Sequence, residues 1–131
     1  MFCYKRSMRP LIHPAASEIT VEGILHALAD PVRAQIFVEI AKADCPQTCS
    51  AFLAVSDKCV PKSTLSQHFK VLREAGLIRS ERKGVEMLNT SRREDLEDRF
   101  GALIAAILEA LTAQYRRARR AENQPSQQTP A

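Results

Sequence analysis

The chain has 131 residues, of which 45% are hydrophobic and only 5% aromatic, with no tryptophan. This length suits one domain without a large catalytic cavity, and the composition favours a mostly helical protein over an aromatic-rich β-sandwich. The formal charge of +4 permits binding to a polyanion without requiring it. We find no apolar run of about 18 residues and no signal-peptide core, so we expect a cytoplasmic protein without a membrane partner.

The N-terminal part predicts an arm followed by short helices. Residues 1–17 contain prolines and basic residues without periodicity, which indicates a flexible arm. Apolar residues from Ile19 to Leu28 recur at three- and four-residue steps and predict a first helix. Asp30 followed by Pro31 is typical of an N-cap and a first helical position, so a second helix begins there. Its inward-facing residues are predicted to be Val32, Ile36, Phe37 and Ile40.

The second helix is predicted to end at Cys45-Pro46, after which "CSAFLAV" can form a short third helix. Residues 62–78 then read "KSTLSQHFKVLREAGLI" and predict a fourth. Ser63 can cap it, and Gly76 suits a left-handed residue that ends it. Its apolar stripe consists of Leu65, Phe69 and Leu72.

The C-terminal part predicts a hairpin and a long helix. "LIRSER" and "VEMLNT" flank Lys83-Gly84, which indicates two strands around a tight turn. Ser91 and Glu94 form a capping-box pattern that would open the last helix. Its apolar stripe is Leu96, Phe100, Leu103, Ile104, Ile107, Leu108, Leu111 and Tyr115. The predicted domain spans residues 18–115, and residues 116–131 predict a basic and then polar disordered tail.

This order of helices and a basic hairpin predicts a winged helix-turn-helix, mostly α with a small β-hairpin, that binds double-stranded DNA. The recognition helix of that fold places small or amide side chains against base edges in the major groove. The candidate base-contacting residues are Ser63, Thr64, Ser66, Gln67 and His68. The candidate phosphate-contacting residues are Lys62, Lys70, Arg73, Arg79, Arg82 and Lys83. Two alternatives stay open: a polar helix start can be a solvated face, and His68 can pack under the turn.

At this point the sequence resembles the ArsR family of small winged-helix regulators. The resemblance runs from about Ile19 to Leu111 and is carried by "ALADPVRAQIF", "STLSQHFKVLREAGLI" and "SRREDLEDRF". It implies a repressor with residues 63–70 as the DNA-reading helix and residues 82–84 as the wing tip.

The same resemblance implies a homodimer through the first and last helices. The implied interface residues are Leu25, Leu28, Phe100, Leu103, Ile104, Ile107, Leu108 and Leu111. The alternative is that the last helix's stripe belongs to the core of one chain. A two-fold dimer would hold two recognition helices about 34 Å apart, which predicts an inverted-repeat operator.

Three cysteines, Cys45, Cys49 and Cys59, fall within fifteen positions ahead of the recognition helix. Their thiols could bind a soft metal or metalloid ion, or form a reversible disulfide, either of which could release DNA. The family's aspartate and histidine site on the last helix is absent, and its Cys-x-Cys pair departs here to Cys-x3-Cys. Cys49, which lies beside apolar residues, can also be a core residue. No cofactor is required, and the inducer is left open.

Other classes of function are less consistent with the chain. A thiol oxidoreductase would need a Cys-x-x-Cys motif on a βαβ unit, which the sequence lacks. We find no nucleophile elbow, phosphate loop or HExxH site, so we expect no enzymatic activity. The remaining alternative is a winged-helix protein-interaction module without DNA binding, which would show acidic or apolar exposed positions on its recognition helix.

Overall fold

The computed structural model describes residues 11–43, 45–52 and 60–123. Across these ranges the chain is mostly helical with a small antiparallel sheet, as predicted. The α-helices are α1 (Val21–Leu28), α2 (Pro31–Lys42), α3 (Lys62–Glu74) and α4 (Arg93–Asn123). The strands are β1 (Gln47–Thr48), β2 (Ile78–Lys83) and β3 (Glu86–Ser91), and short 3-10 helices lie at Ala16–Glu18 and Cys49–Phe52. None of the described helices is long and apolar enough to cross a membrane.

The starts of the first two helices follow from their caps. Thr20 Oγ1 accepts a hydrogen bond from the Gly23 amide at 3.0 Å, so α1 begins after Thr20 and two residues later than Ile19. Asp30 Oδ1 accepts from two backbone amides of the first turn of α2, at 2.9 and 3.1 Å, and Pro31 follows it. The predicted cap and proline of α2 are therefore confirmed.

Two other predicted caps were wrong. Helix α3 begins at Lys62, two residues earlier than a Ser63 cap would give, because the Pro61 carbonyl accepts from the Leu65 amide at 2.9 Å and no side chain caps the helix. Ser63 is therefore a residue of the first turn. Ser91 is the last residue of β3, and α4 begins at Arg93, so the Ser91 and Glu94 pattern does not sit at the helix start.

The sheet has the order β1-β3-β2, with antiparallel pairing throughout. Strand β1 was not predicted, because two residues carry no detectable alternation. The β2–β3 hairpin, which we call the wing, pairs Lys83 with Glu86, so its turn is Gly84-Val85 and lies one residue beyond the predicted turn. Gly84 has φ of 61° and Val85 does not have positive φ, which fits a type II′ turn.

The core lies between the helices and the base of the wing. It joins the predicted stripe of α3 to Ile36, Phe37 and Ile40 of α2. Phe52 packs edge-on against Phe69, with ring centroids 5.6 Å apart. The predicted third helix is present as the 3-10 helix that ends at Phe52, and the rest of that segment lies outside the described residues.

Both ends of the domain differ from the prediction. Residues 11–17, expected to be part of a flexible arm, contact the wing and α4 through hydrogen bonds described below. Residues 116–123, expected to be disordered, continue α4 to Asn123 because arginine and alanine are strong helix formers. Residues 1–10 and 124–131 lie outside the described residues.

Candidate nucleic-acid interface

Helix α3 has one buried face and one exposed polar face. Leu65, Phe69 and Leu72 are buried at 2% exposure or less, which fixes the rotation of the helix. The exposed residues in its first two and a half turns are Lys62, Ser63, Thr64, Ser66, Gln67 and Lys70. The structure therefore brings most of the predicted base-contacting side chains onto one solvent-facing surface.

His68 does not belong to that surface. Its side chain is 8% exposed, and it lies on the same stripe as Leu65 and Leu72, three residues after one and four before the other. An electrostatic effect of His68 is among the causes that lower the pKa of Asp30, the residue that caps α2. The packing alternative therefore holds, and His68 leaves the set of candidate DNA contacts.

Arg73 was expected to contact phosphate, but its side chain is half-buried and hydrogen-bonded to the wing. Its Nε donates to Ser80 Oγ at 3.0 Å, and Ser80 Oγ in turn donates to Asn89 Oδ1 at 2.7 Å. Burial lowers the pKa of Arg73, although a guanidinium stays protonated in proteins. The side chain thus connects the C-terminal end of α3 to the wing.

Asn89 is fully buried at the centre of the sheet, directly opposite Ser80 on one side and Gln47 on the other. Its Nδ2 donates to the Gln47 carbonyl at 3.0 Å and approaches Cys49 Sγ at 3.4 Å. The polar row formed by Arg73, Ser80, Asn89 and Gln47 therefore ties α3 to all three strands. Sequence patterns missed it, because its members are distant in the chain.

The wing carries exposed cations close to α3. Arg79, Arg82 and Lys83 are all exposed on β2. Arg79 Nη2 lies 3.5 Å from an Asp95 oxygen, and the hydrogen bond from Arg92 holds the pKa of Asp95 below its ordinary value. Part of the positive charge of Arg79 is thus balanced within the protein. The tip carries the fully exposed Val85.

The candidate sensor thiols have different environments. Cys45 is exposed, whereas Cys49 is half-buried, and both are free thiols. Burial raises the pKa of the Cys49 thiol, despite opposing effects of Asn89 and Arg73, so little reactive thiolate is present near neutral pH. Cys59 lies outside the described residues. Within the part of the chain that is described, no group of three acidic, histidine or cysteine side chains could hold a metal ion.

The predicted interface residues divide between the core and the surface. Phe100 and Ile104 are 6% and 7% exposed and belong to the core of one chain, so the core alternative holds for them. The residues that are partly buried against that core are Leu28, Leu103, Ile107 and Leu108. Leu25 is 50% exposed on α1, beside the 41% exposed Val21.

Comparison with known proteins finds similarity to helix-turn-helix proteins. A helix-turn-helix domain family matches residues 28–81. The HTH-type transcriptional repressor SmtB of Mycobacterium tuberculosis is 40% identical over 65 residues, which cover 50% of this chain and 45% of SmtB. The chain therefore matches about half the length of this curated relative.

Solved structures share the fold at lower sequence identity. A crystal structure of an ArsR family transcriptional regulator has a TM-score of 0.53 and 24% identity, covering 72% of this chain and 96% of its own. Reduced HlyU from Vibrio cholerae has a TM-score of 0.53 and 22% identity, covering 87% and 96%. With the helix order and the wing, these structures show that the chain has the winged helix-turn-helix fold, and the chain is similar to an ArsR family regulator and to the SmtB repressor.

Proposed function

We propose that this protein is a transcriptional repressor that binds an inverted-repeat operator in double-stranded DNA as a homodimer. The observation that carries the proposal is the exposed row of small, amide and basic side chains on the N-terminal half of α3. The buried stripe on the opposite face holds this row outward. The absence of acidic side chains from the first three turns of the helix disfavours an interaction module that avoids nucleic acid.

Within that row, Gln67 is the proposed base-reading residue. An amide can both donate to and accept from an adenine edge, which gives a bidentate contact in the major groove. Ser63, Thr64 and Ser66 are short enough to let the helix approach the bases. Lys62, together with Lys83 on the wing, supplies phosphate contacts that orient the protein without reading sequence.

The proposed dimer uses the apolar surface of α1 and α4. Val21 and Leu25 leave apolar surface exposed on α1, and Leu111 is half-buried on α4. Helix α4 has 31 residues and is about 46 Å long. Such a length exceeds what one small domain covers and offers surface for a second copy.

Release from DNA through thiol chemistry or a soft metal ion is the second part of the proposal. Cys45 is the described thiol best placed to react, because it is exposed and lies just before β1, whose carbonyl at Gln47 accepts from Asn89. A change at Cys45 would thereby reach the polar row. Cys49, whose pKa is raised by burial, fits a packing role better.

The test measures fluorescence anisotropy of two labelled duplexes of equal length, one from the DNA upstream of the protein's own gene and one with that sequence scrambled. Gln67→Ala should weaken specific binding by about 5- to 150-fold, the value of one bidentate base contact, and leave scrambled binding nearly unchanged. Gln114→Ala removes an exposed amide from α4 and is the matched control. Equal affinity of the unmodified protein for both duplexes would refute sequence-specific DNA binding.

A further inference from the structure

The segment of residues 11–19, which we call the strap, lies along the base of the wing. Arg92 Nη1 donates to the Pro14 carbonyl at 2.7 Å, and Arg99 Nη1 donates to the Ala16 carbonyl at 3.2 Å. At the end of the strap, Ile19 is 2% exposed and belongs to the core. The strap is therefore held at three points: by Arg92 just before α4, by Arg99 of α4, and by the burial of Ile19 in the core.

His13 caps the free edge of the wing. Because the sheet formed by the described residues has the order β1-β3-β2, β2 is its edge strand, and the outward N–H groups of β2 face no other strand within the described ranges. The Ser80 amide donates to His13 Nε2 at 3.0 Å. Nε2 must therefore lack a proton, which leaves the ring proton on Nδ1, consistent with a hydrogen bond between the ring and the Leu11 backbone.

Ser80 is also the residue at which α3 meets the wing. Its hydroxyl accepts from Arg73 of α3 and donates to Asn89 of β3, while its backbone amide donates to His13. Three elements of the chain therefore converge on one residue. The strap holds the backbone of that residue from the side that the sheet leaves open.

The charges around His13 oppose its protonation. Burial lowers the pKa of His13, and Arg79 of β2, Arg73 of α3 and Arg92 before α4 lower it further, whereas the hydrogen bond to Leu11 acts in the opposite direction. Asp95 of α4 is paired with two of these arginines, Arg79 and Arg92. A protonated ring would also turn Nε2 into a donor facing the Ser80 N–H group.

We propose that His13 is a positioning residue for DNA binding: its neutral imidazole caps β2 at Ser80 and holds the wing against α3, and its protonation removes this cap and weakens DNA binding. The inference rests on the proposed DNA-binding function. Without the cap, the edge strand carries an unpaired N–H group and the wing can sample more orientations. Ordering the wing on DNA then costs free energy and weakens binding.

The sign of the pH dependence follows from linkage. Since the pKa of His13 is lower in the folded protein than in the unfolded chain, the capped state contributes fully above about pH 6.5 and is lost as pH falls through the folded pKa. Protonation of a histidine elsewhere on a DNA-binding surface adds positive charge and strengthens binding. The capping role predicts the opposite direction.

The experiment compares the Kd for specific DNA of the unmodified protein, His13→Gln and His26→Gln from about pH 7.5 down to the lowest pH at which each protein stays folded, at fixed salt. As the pH falls, the Kd of the unmodified protein should rise about three- to tenfold more than the Kd of His13→Gln. The side-chain oxygen of this glutamine can accept from the Ser80 amide at every pH. His26→Gln, which changes an exposed histidine of α1, should keep the full pH response. Parallel pH curves for the unmodified protein and His13→Gln would overturn the proposal.

A second measurement separates this inference from the proposed function. Without DNA, the Ser80 amide resonance and its hydrogen exchange should follow the titration of the His13 ring in the unmodified protein, and His13→Gln should abolish that response. A Ser80 amide insensitive to the ring's titration overturns the cap. If no variant distinguishes specific from scrambled DNA at neutral pH, the proposed function fails and the weakened-binding half of this proposal fails with it, while the amide measurement still decides the cap.

Discussion

Replacing Gly76 with alanine should destabilise the fold through two separable effects. Gly76 has φ of 84°, a left-handed conformation that costs an L-residue with a Cβ about 1–2 kcal/mol. An added Cβ would also lie 2.5 Å from Cδ1 and Cγ1 of Ile19, and Ile19 is too buried to move freely. Overpacking of this kind costs about 1–3 kcal/mol, so the expected loss is about 2–5 kcal/mol.

Gly84 provides the matched control, because it also has positive φ, at 61°, but an added Cβ would meet no atom within 4 Å. Gly84→Ala should therefore lose only the conformational part, about 1–3 kcal/mol for the first central residue of a type II′ turn. Urea denaturation gives both free energies of unfolding. The double variant Gly76→Ala with Ile19→Ala, which removes both clashing atoms, Cδ1 and Cγ1, should be less destabilised than the sum of the single changes. A double variant as destabilised as the sum of its single changes would refute the packing argument.

Three further predictions address the wing, a helix cap and the thiols. Lys83→Ala should reduce the slope of log affinity against log salt by about one, for one lost phosphate contact, whereas Lys42→Ala on α2 should leave the slope unchanged. Asp30→Ala should cost about 0.5–2 kcal/mol in urea denaturation. Burial acts to raise the pKa of Asp30, but two amide hydrogen bonds and nearby charge lower it overall, so its contribution is present above its unfolded pKa and falls as pH drops through the folded value. Thiol labelling near neutral pH should be faster at the exposed Cys45 than at the half-buried Cys49. Cys45→Ser should therefore remove a faster phase of labelling than the phase that Cys49→Ser removes. Equal rates at the two thiols would contradict this difference in burial.

The features that sequence predicted correctly are those determined by neighbours in the chain. Asp30 caps α2 and Pro31 is its first residue, so two neighbouring residues define the start of that helix. Gly76 ends α3 because glycine can adopt the positive φ found there. The three- and four-residue spacing of Leu65, Phe69 and Leu72 fixes which face of α3 is buried. Each of these signals is local, so one sequence is enough to read it.

The same periodicity could also have placed His68, which shares the stripe with Leu65 and Leu72. Its polar character favoured a surface interpretation, and its burial shows that position outweighs residue type here. Phe100 and Ile104, four residues apart, likewise face the core of their own chain. A stripe as long as that of α4 gives no local sign of where core surface ends and interface surface begins.

The contacts that position the candidate site were not predictable from local patterns. The strap and β1 lie far along the chain from the wing they contact, and neither carries a periodic signal. Only the sheet register places Gln47, Asn89 and Ser80 in one row. A pattern that reads each segment separately has no access to such a register.

The polar row explains why α3 and the wing can be expected to act on DNA as one body. Asn89 is fully buried, and both ends of its amide have partners, so the row avoids the penalty of an unsatisfied polar group. An apolar row of the same shape could be equally stable, but apolar contacts are non-directional and would allow β2 and α3 to shift against each other. The hydrogen bond from Arg73 to Ser80 has a defined length and direction, and it attaches the last turn of α3 to the strand that carries Arg82 and Lys83. The proposed base contacts lie on α3 and the proposed phosphate contact of Lys83 lies on the wing, so they can be made together only if the distance between those two elements is fixed.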